Sequence, residues 1–203
     1  MIKNVIFDIG NVLVEFGWKK FFGKFGISEE DFEKISKATV EDPDWNEIDR
    51  GLISDEEVLE LFVENDPGEE MWLRKIFANI NGMLVQFDYA KDWIRDLQRN
   101  GFKVYCLSNM SHKACRECAD SMDFLPMLDG YVLSCEVNLC KPEPEIYKAL
   151  FDKYNLVPGE CVFIDDLPQN IKMAEKLGMN TILFRNKADA DTRLREITRP
   201  TSL

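Results

Sequence analysis

A chain of 203 residues with 45% hydrophobic content is long enough for one core, or for one core carrying a modest inserted module. Its 25 Lys and Arg against 37 Asp and Glu leave a net charge of −12, which repels nucleic-acid phosphates and anionic membranes, so an anionic substrate must meet a locally positive site. No run reaches the roughly 18 apolar residues of a membrane helix, and the apolar N-terminal stretch is short and broken by Asp8, so the sequence reads as a soluble, cytoplasmic protein.

The first β-rich run, residues 5–7, ends at Asp8. From residue 16 to 85 the rhythm changes: helical patterns at 31–38 and 55–64 occur without a convincing strand, which predicts a helical insertion after the first strand. Ser54 and Glu57 have the spacing of a capping box that opens the second of these helices. Phe16, Trp18, Phe21, Phe22 and Phe25 read as a packing or hinge stripe, and Trp18, Trp45, Asn46 and Asp49 are candidates to line a pocket.

From residue 89 onward helix and strand alternate. Helix 89–100 ends at Gly101, strand 104–107 leads to Ser108 and Asn109, and strand 131–133 leads to Ser134. Helix 143–154 follows, then strand 161–164 before Asp165 and Asp166, helix 168–177 ended by Gly178, and strand 181–184. Strands without polar alternation are buried on both faces, so the pattern predicts an α/β fold with a doubly wound, Rossmann-like parallel sheet. Residues 1–15 and 86–203 would form its core, with 16–85 as an inserted helical cap. The tail, 189–203, is charged and reads as partly frayed.

Ligands of such sheets bind beyond the carboxyl ends of the strands, where Asp8, Ser108 and Asp165 all fall. Of the six cysteines, Cys106 and Cys161 sit in apolar runs and read as small buried hydrophobes. Cys115-x2-Cys118 and Cys135-x4-Cys140 approach zinc-ribbon spacing, but the first pair lies in a helical pattern and the second flanks a candidate site loop. His112, the sole histidine, would have to serve any Ser-His-Asp or Cys-His mechanism; near a helix start it reads as a surface or capping residue.

Four motifs follow one another at strand ends: Phe7-Asp8-Ile9-Gly10-Asn11-Val12-Leu13, Leu107-Ser108-Asn109, Lys141-Pro142-Glu143-Pro144, and Phe163-Ile164-Asp165-Asp166 with Asn170. In this order, over almost the whole chain, they resemble the haloacid dehalogenase-like hydrolase superfamily, and the insertion resembles the helical cap of its phosphatases. The chemistry is coherent: a carboxylate at a strand end can attack phosphorus and split a hard hydrolysis into two steps. Two neighbouring carboxylates need a cation, and Mg2+ takes oxygen ligands of this kind. The reading is therefore a magnesium-dependent phosphatase of a small phosphorylated metabolite. Asp8 is the nucleophile and, with Asp165, a metal ligand; Ser108, Asn109 and Lys141 receive the phosphoryl group, and Lys141 also keeps Asp8 ionised. The resemblance adds the Gly10 carbonyl as a metal ligand and places Asp166 and Asn170 behind the site.

Gly10 departs from the family pattern, in which many members carry a second aspartate there to protonate the leaving group and then activate water. Such help is worth about 10²- to 10⁴-fold. A cap residue or water could replace it, or a good leaving group could need less help; the Asp-x-Gly-Asn-Val form resembles sugar-phosphate phosphatases, notably those acting on glucose 1-phosphate. The alternatives are a weakly active binding or regulatory protein and a haloacid dehalogenase, for which the Asp165-Asp166 pair would be useless. No motif marks an oligomer.

Overall fold

The computed structural model describes residues 1–43 and 45–198. Its strands are β1 (Asn4–Phe7), β2 (Val14–Phe16), β3 (Leu84–Gln86), β4 (Lys103–Ser108), β5 (Gly130–Leu133), β6 (Cys161–Asp165) and β7 (Asn180–Leu183). Five of them form a parallel sheet in the order β5-β4-β1-β6-β7, while β2 and β3 pair antiparallel in a separate ribbon. Because the sheet grows from β1 first to one side and then to the other, β1 is the switch point of the winding, and Asp8 lies just beyond its carboxyl end.

Helices α1 (Trp18–Gly23), α2 (Glu29–Ala38), α3 (Trp45–Arg50), α4 (Asp55–Asn65) and α5 (Glu70–Phe77) lie between β2 and β3 in the chain. Helices α6 (Ala90–Arg99), α7 (His112–Glu117), α8 (Ser134–Val137), α9 (Pro144–Tyr154), α10 (Pro168–Lys176) and α11 (Lys187–Thr198) belong to the alternating part. The alternation of side chains along β1 explains the layering. Val5 and Phe7 pack with Trp93, Ile94 and Leu97 of α6 and with Leu194 of α11, while Ile6 faces Tyr147 and Leu150 of α9 and Ala174 of α10. Both faces of the sheet are thus dry, as the apolar runs require.

Two expectations are corrected. The segment 16–85 shows no convincing strand in its sequence, yet Phe16 and Leu84 pair at its two ends; strands of three residues are too short to give a periodic signal. The tail is an ordered helix through Thr198, anchored by buried Ala190 and Leu194, whose spacing of four places both on one face beneath a charged exterior; residues 199–203 lie outside the described residues. The capping box at Ser54 and Glu57 is present, with the Ser54 hydroxyl accepting from the Glu57 N–H. The aromatic stripe packs as a core: Trp18 stacks on Phe32, and Phe22 meets Phe77 edge to face.

Candidate active site

Strand register sets the floor of the site. Phe7 is aligned with Cys106 of β4 and Ile164 of β6, so the three strands end within two residues of one another, with Asp8 between Ser108 and Asp165. The Asp8 Oδ1 atom accepts from the Ile9 N–H at 2.7 Å and the Ser108 hydroxyl at 2.8 Å, and it lies 2.8 Å from Lys141 Nζ. Among the described residues all hydrogen bonds to the Asp8 carboxylate go to Oδ1, and Asp8 lines the cleft above this floor.

Lys141 spans the floor. Its Nζ donates to Asp165 Oδ2 at 2.7 Å as well, and its side chain is 2% exposed, so one buried cation serves two buried carboxylates. Asp165 also accepts from the Leu167 N–H and from the Asn170 amide on both oxygens. Burial pushes the Asp8 carboxyl up to about 6, with Lys141 opposing and Asp165 adding to the rise. For Lys141 burial works against the charge, but Asp8 and Asp165 outweigh it and raise its pKa.

The loop that delivers Lys141 is clamped from β4. The Asn109 side-chain oxygen accepts from the Lys141 N–H at 2.7 Å, and its amide donates to the Lys141 carbonyl at 3.0 Å. Read from sequence as a phosphoryl contact, Asn109 spends its side chain on positioning Lys141. Asn11, at φ 54°, holds the acidic pair from the other side: its amide donates to Asp166 Oδ2 at 3.1 Å and its oxygen accepts from the Phe16 N–H. Sequence reasoning gave Asn11 no role; an Asn after a Gly, as a residue tolerant of the left-handed region, was the available signal. Asp166 is raised by burial first and by Asp165, against the Asn11 hydrogen bond.

Asp8, Asp165 and Asp166 each offer a carboxylate oxygen within 4.8 Å of the others. Three hard oxygen donors fit a small divalent cation and give no place to a soft metal. They form the only such cluster among the described residues: the cysteines form no disulfide, and although Cys115 and Cys135 lie with 4.0 Å between sulfurs, no thiol quartet gathers for zinc. His112 is the first residue of α7, exposed and outside the cleft.

Above the floor opens a cleft of about 660 Å³. Phe16, Trp45, Ile48 and Phe62 give it an apolar wall, and Asp49 enters it from α3. Trp18 is packed into the aromatic core and does not line it, and the side chain of Asn46 lies outside the described residues. Among the described residues no helix is long and apolar enough to cross a membrane.

Residues 2–178 match the family model of haloacid dehalogenase-like hydrolases. The chain is 28% identical over 201 residues to D-ribitol-5-phosphate phosphatase of Bacteroides thetaiotaomicron, covering 93% of this chain and 95% of that protein. It is 36% identical to bifunctional epoxide hydrolase 2 of Sus scrofa over 111 residues, 53% of this chain but only 20% of that longer protein. A HAD family enzyme of B. thetaiotaomicron, crystallised with magnesium and inorganic phosphate, superposes with a TM-score of 0.64 at 27% identity, covering 90% of this chain and 93% of that one.

Proposed function

The chain belongs to the haloacid dehalogenase-like hydrolases, and on that premise we propose that it is a magnesium-dependent phosphatase of a small sugar or polyol phosphate, working through a phosphoryl group carried on Asp8. The observation that carries this reading is the shared lysine: Lys141 holds Oδ1 of Asp8 and Oδ2 of Asp165, and the other oxygen of Asp8, a residue lining the cleft, has no hydrogen-bond partner among the described residues.

Magnesium would be held by Asp8, Asp165 and the Gly10 carbonyl, with Asp166 bonded through water or orienting the others. When bound it neutralises the charge of the phosphoryl oxygens and of the clustered carboxylates. The residues then divide the work. Ser108, Lys141 and the Ile9 N–H fix Oδ1, so Asp8 presents Oδ2 to phosphorus in one orientation, and this positioning is a principal source of rate in phosphoryl transfer. The Lys141 charge keeps Asp8 ionised against burial. The segment 16–85 acts as a cap whose apolar wall excludes water from the reacting centre.

A cleft of about 660 Å³ lies within the size range of small-metabolite sites, and the relative named for ribitol 5-phosphate, matched over nearly its full length, supports a polyol or sugar phosphate as the substrate class. Phosphate release should be measured from a panel of sugar and polyol phosphates, with magnesium and with chelator, for the wild type and Asp8→Asn. Release that requires both the metal and Asp8 is expected. Turnover that survives chelation or the Asp8→Asn change would overturn the reading.

A further inference from the structure

A phosphatase of this design needs a proton for the departing oxygen, and position 10 has no side chain to give one. The backbone does not force that absence: a Cβ at Gly10 would meet no atom within 4 Å, and its φ lies outside the left-handed region. A side-chain donor must then come from another wall of the cleft.

We propose that Asp49, at the end of α3, is the general acid and base of this site, a catalytic residue supplied by the inserted helices in place of the one missing at Gly10. The inference deepens the phosphatase reading and rests on it.

The geometry argues for a placed group. Asp49 is half-buried, lines the same cleft as Asp8, Ser108 and Lys141, and among the described residues no side chain pairs with its carboxylate. The residues around it are fastened to the floor. The Ser134 hydroxyl donates to the Asp49 carbonyl at 2.5 Å and accepts from the Met110 N–H, which ties α3 to the exit of β4. Asn138 donates to the Arg50 carbonyl at 3.0 Å, and Arg50 grips Glu143 with two nitrogens. Gly51, at φ 70°, lets α3 approach Cys135 so closely that a Cβ would fall 2.8 Å from the Cys135 side chain. Three consecutive residues are thus held against the segment 134–143, the segment that carries Lys141. A mobile lid contact needs no such fixing; a proton donor does.

Asp8 and Lys141 face Asp49 from the floor, and the thiols of Cys115, Cys135 and Cys140 feel its charge from the elements packed around α3. Burial, then the charge of Asp8, push its carboxyl up to about 7 against the pull of Lys141, so it can hold a proton near neutral pH.

The steps balance. Oδ2 of Asp8 bonds to phosphorus as the bond from phosphorus to the ester oxygen breaks, and the Asp49 carboxyl gives its proton to that oxygen, which leaves as an alcohol. The Asp49 carboxylate then takes a proton from water, whose oxygen bonds to phosphorus as the Asp8 bond breaks. Inorganic phosphate departs, with Asp8 ionised and Asp49 protonated again.

The test compares kcat/KM of wild type, Asp49→Asn, Arg50→Ala and Asp49→Asn with Gly10→Asp, on an alkyl phosphate and on p-nitrophenyl phosphate, whose phenolate leaves without help. Asp49→Asn is expected to lose about 10²-fold or more on the alkyl ester and less than about tenfold on the aryl ester, with Gly10→Asp restoring at least tenfold of the alkyl activity. Arg50→Ala, which loosens the docking alone, should lower both substrates alike. Equal losses on both substrates in Asp49→Asn, or no loss, would overturn the assignment while leaving an Asp8-dependent phosphatase. Silence of the wild type on both esters would overturn the phosphatase reading and the assignment together. Unfolding of Asp49→Asn, seen by circular dichroism, would show a structural role and count against it.

Discussion

The guanidinium of Arg50 meets both carboxylate oxygens of Glu143, at 2.7 and 3.2 Å, joining a helix inserted between β2 and β3 to the loop that carries Lys141. Glu143 is the third residue of the Lys141-Pro142-Glu143-Pro144 motif, so one short segment serves the floor of the cleft and its roof.

That pair should couple the inserted helices to the floor. Both side chains are partly exposed, so solvent screens them, and a double-mutant cycle of Arg50→Ala and Glu143→Ala is expected to give about 1 kcal/mol of interaction by urea denaturation. The hydrogen bond from Arg50 holds the Glu143 carboxyl below the usual carboxylate range, outweighing burial. A depressed carboxylate stabilises the fold above its unfolded pKa, and that contribution is lost as pH falls through the folded one. The stability difference between wild type and Glu143→Gln should therefore be flat above about pH 5 and shrink below it.

Lys141→Met would leave Asp8 and Asp165 buried without their shared cation. Uncompensated buried charge costs about 3 to 5 kcal/mol, read as a lowered midpoint of denaturation. If the metal occupies the same carboxylates, added magnesium should recover part of the loss, since a ligand that binds only the folded state stabilises it. A deficit indifferent to magnesium would place the metal elsewhere.

Asn11→Ala would release Asp166 from its hydrogen bond while leaving all three carboxylates in place. Partners of metal ligands are worth about 10- to 100-fold in affinity, so the magnesium concentration for half-maximal turnover should rise at least about tenfold. An unchanged requirement would remove Asp166 from the metal's surroundings.

Two glycines should respond in opposite ways. Alanine at Gly51 must take φ 70° and push against Cys135, and a cost of about 1 to 3 kcal/mol is expected. At Gly10 the added methyl meets open space, so Gly10→Ala should be neutral or stabilising by up to about 1 kcal/mol. Thermal unfolding of the two variants checks both.

Most of the parallel sheet was legible because its strands are apolar runs without alternation, each ending at a polar residue: Asp8, Ser108, Ser134 and Asp165 mark four strand exits in the sequence as they do in space. The ribbon of β2 and β3 was not, because three residues carry no period. Asp8, Lys141 and Asp165 could be assembled from their motifs, since strand order and register bring them together whatever the loops do. Asn11 and Asn109 could not: the acceptors of their amide N–H groups are 155 and 32 residues away, and no local pattern encodes which way an amide turns. Asp49 was named as a pocket residue, but its reach into the cleft depends on the docking of Arg50 and Gly51, which is a tertiary fact.

The antiparallel pairing of Phe16 with Leu84 means that the chain departs for its helical excursion and returns from it at adjacent points. A loop with neighbouring ends can be lengthened, shortened or exchanged for another without straining what it springs from. Selection on such a chain can rewrite which alcohol is recognised, and here even which group protonates it, while the nucleophile and its lysine stay where they are.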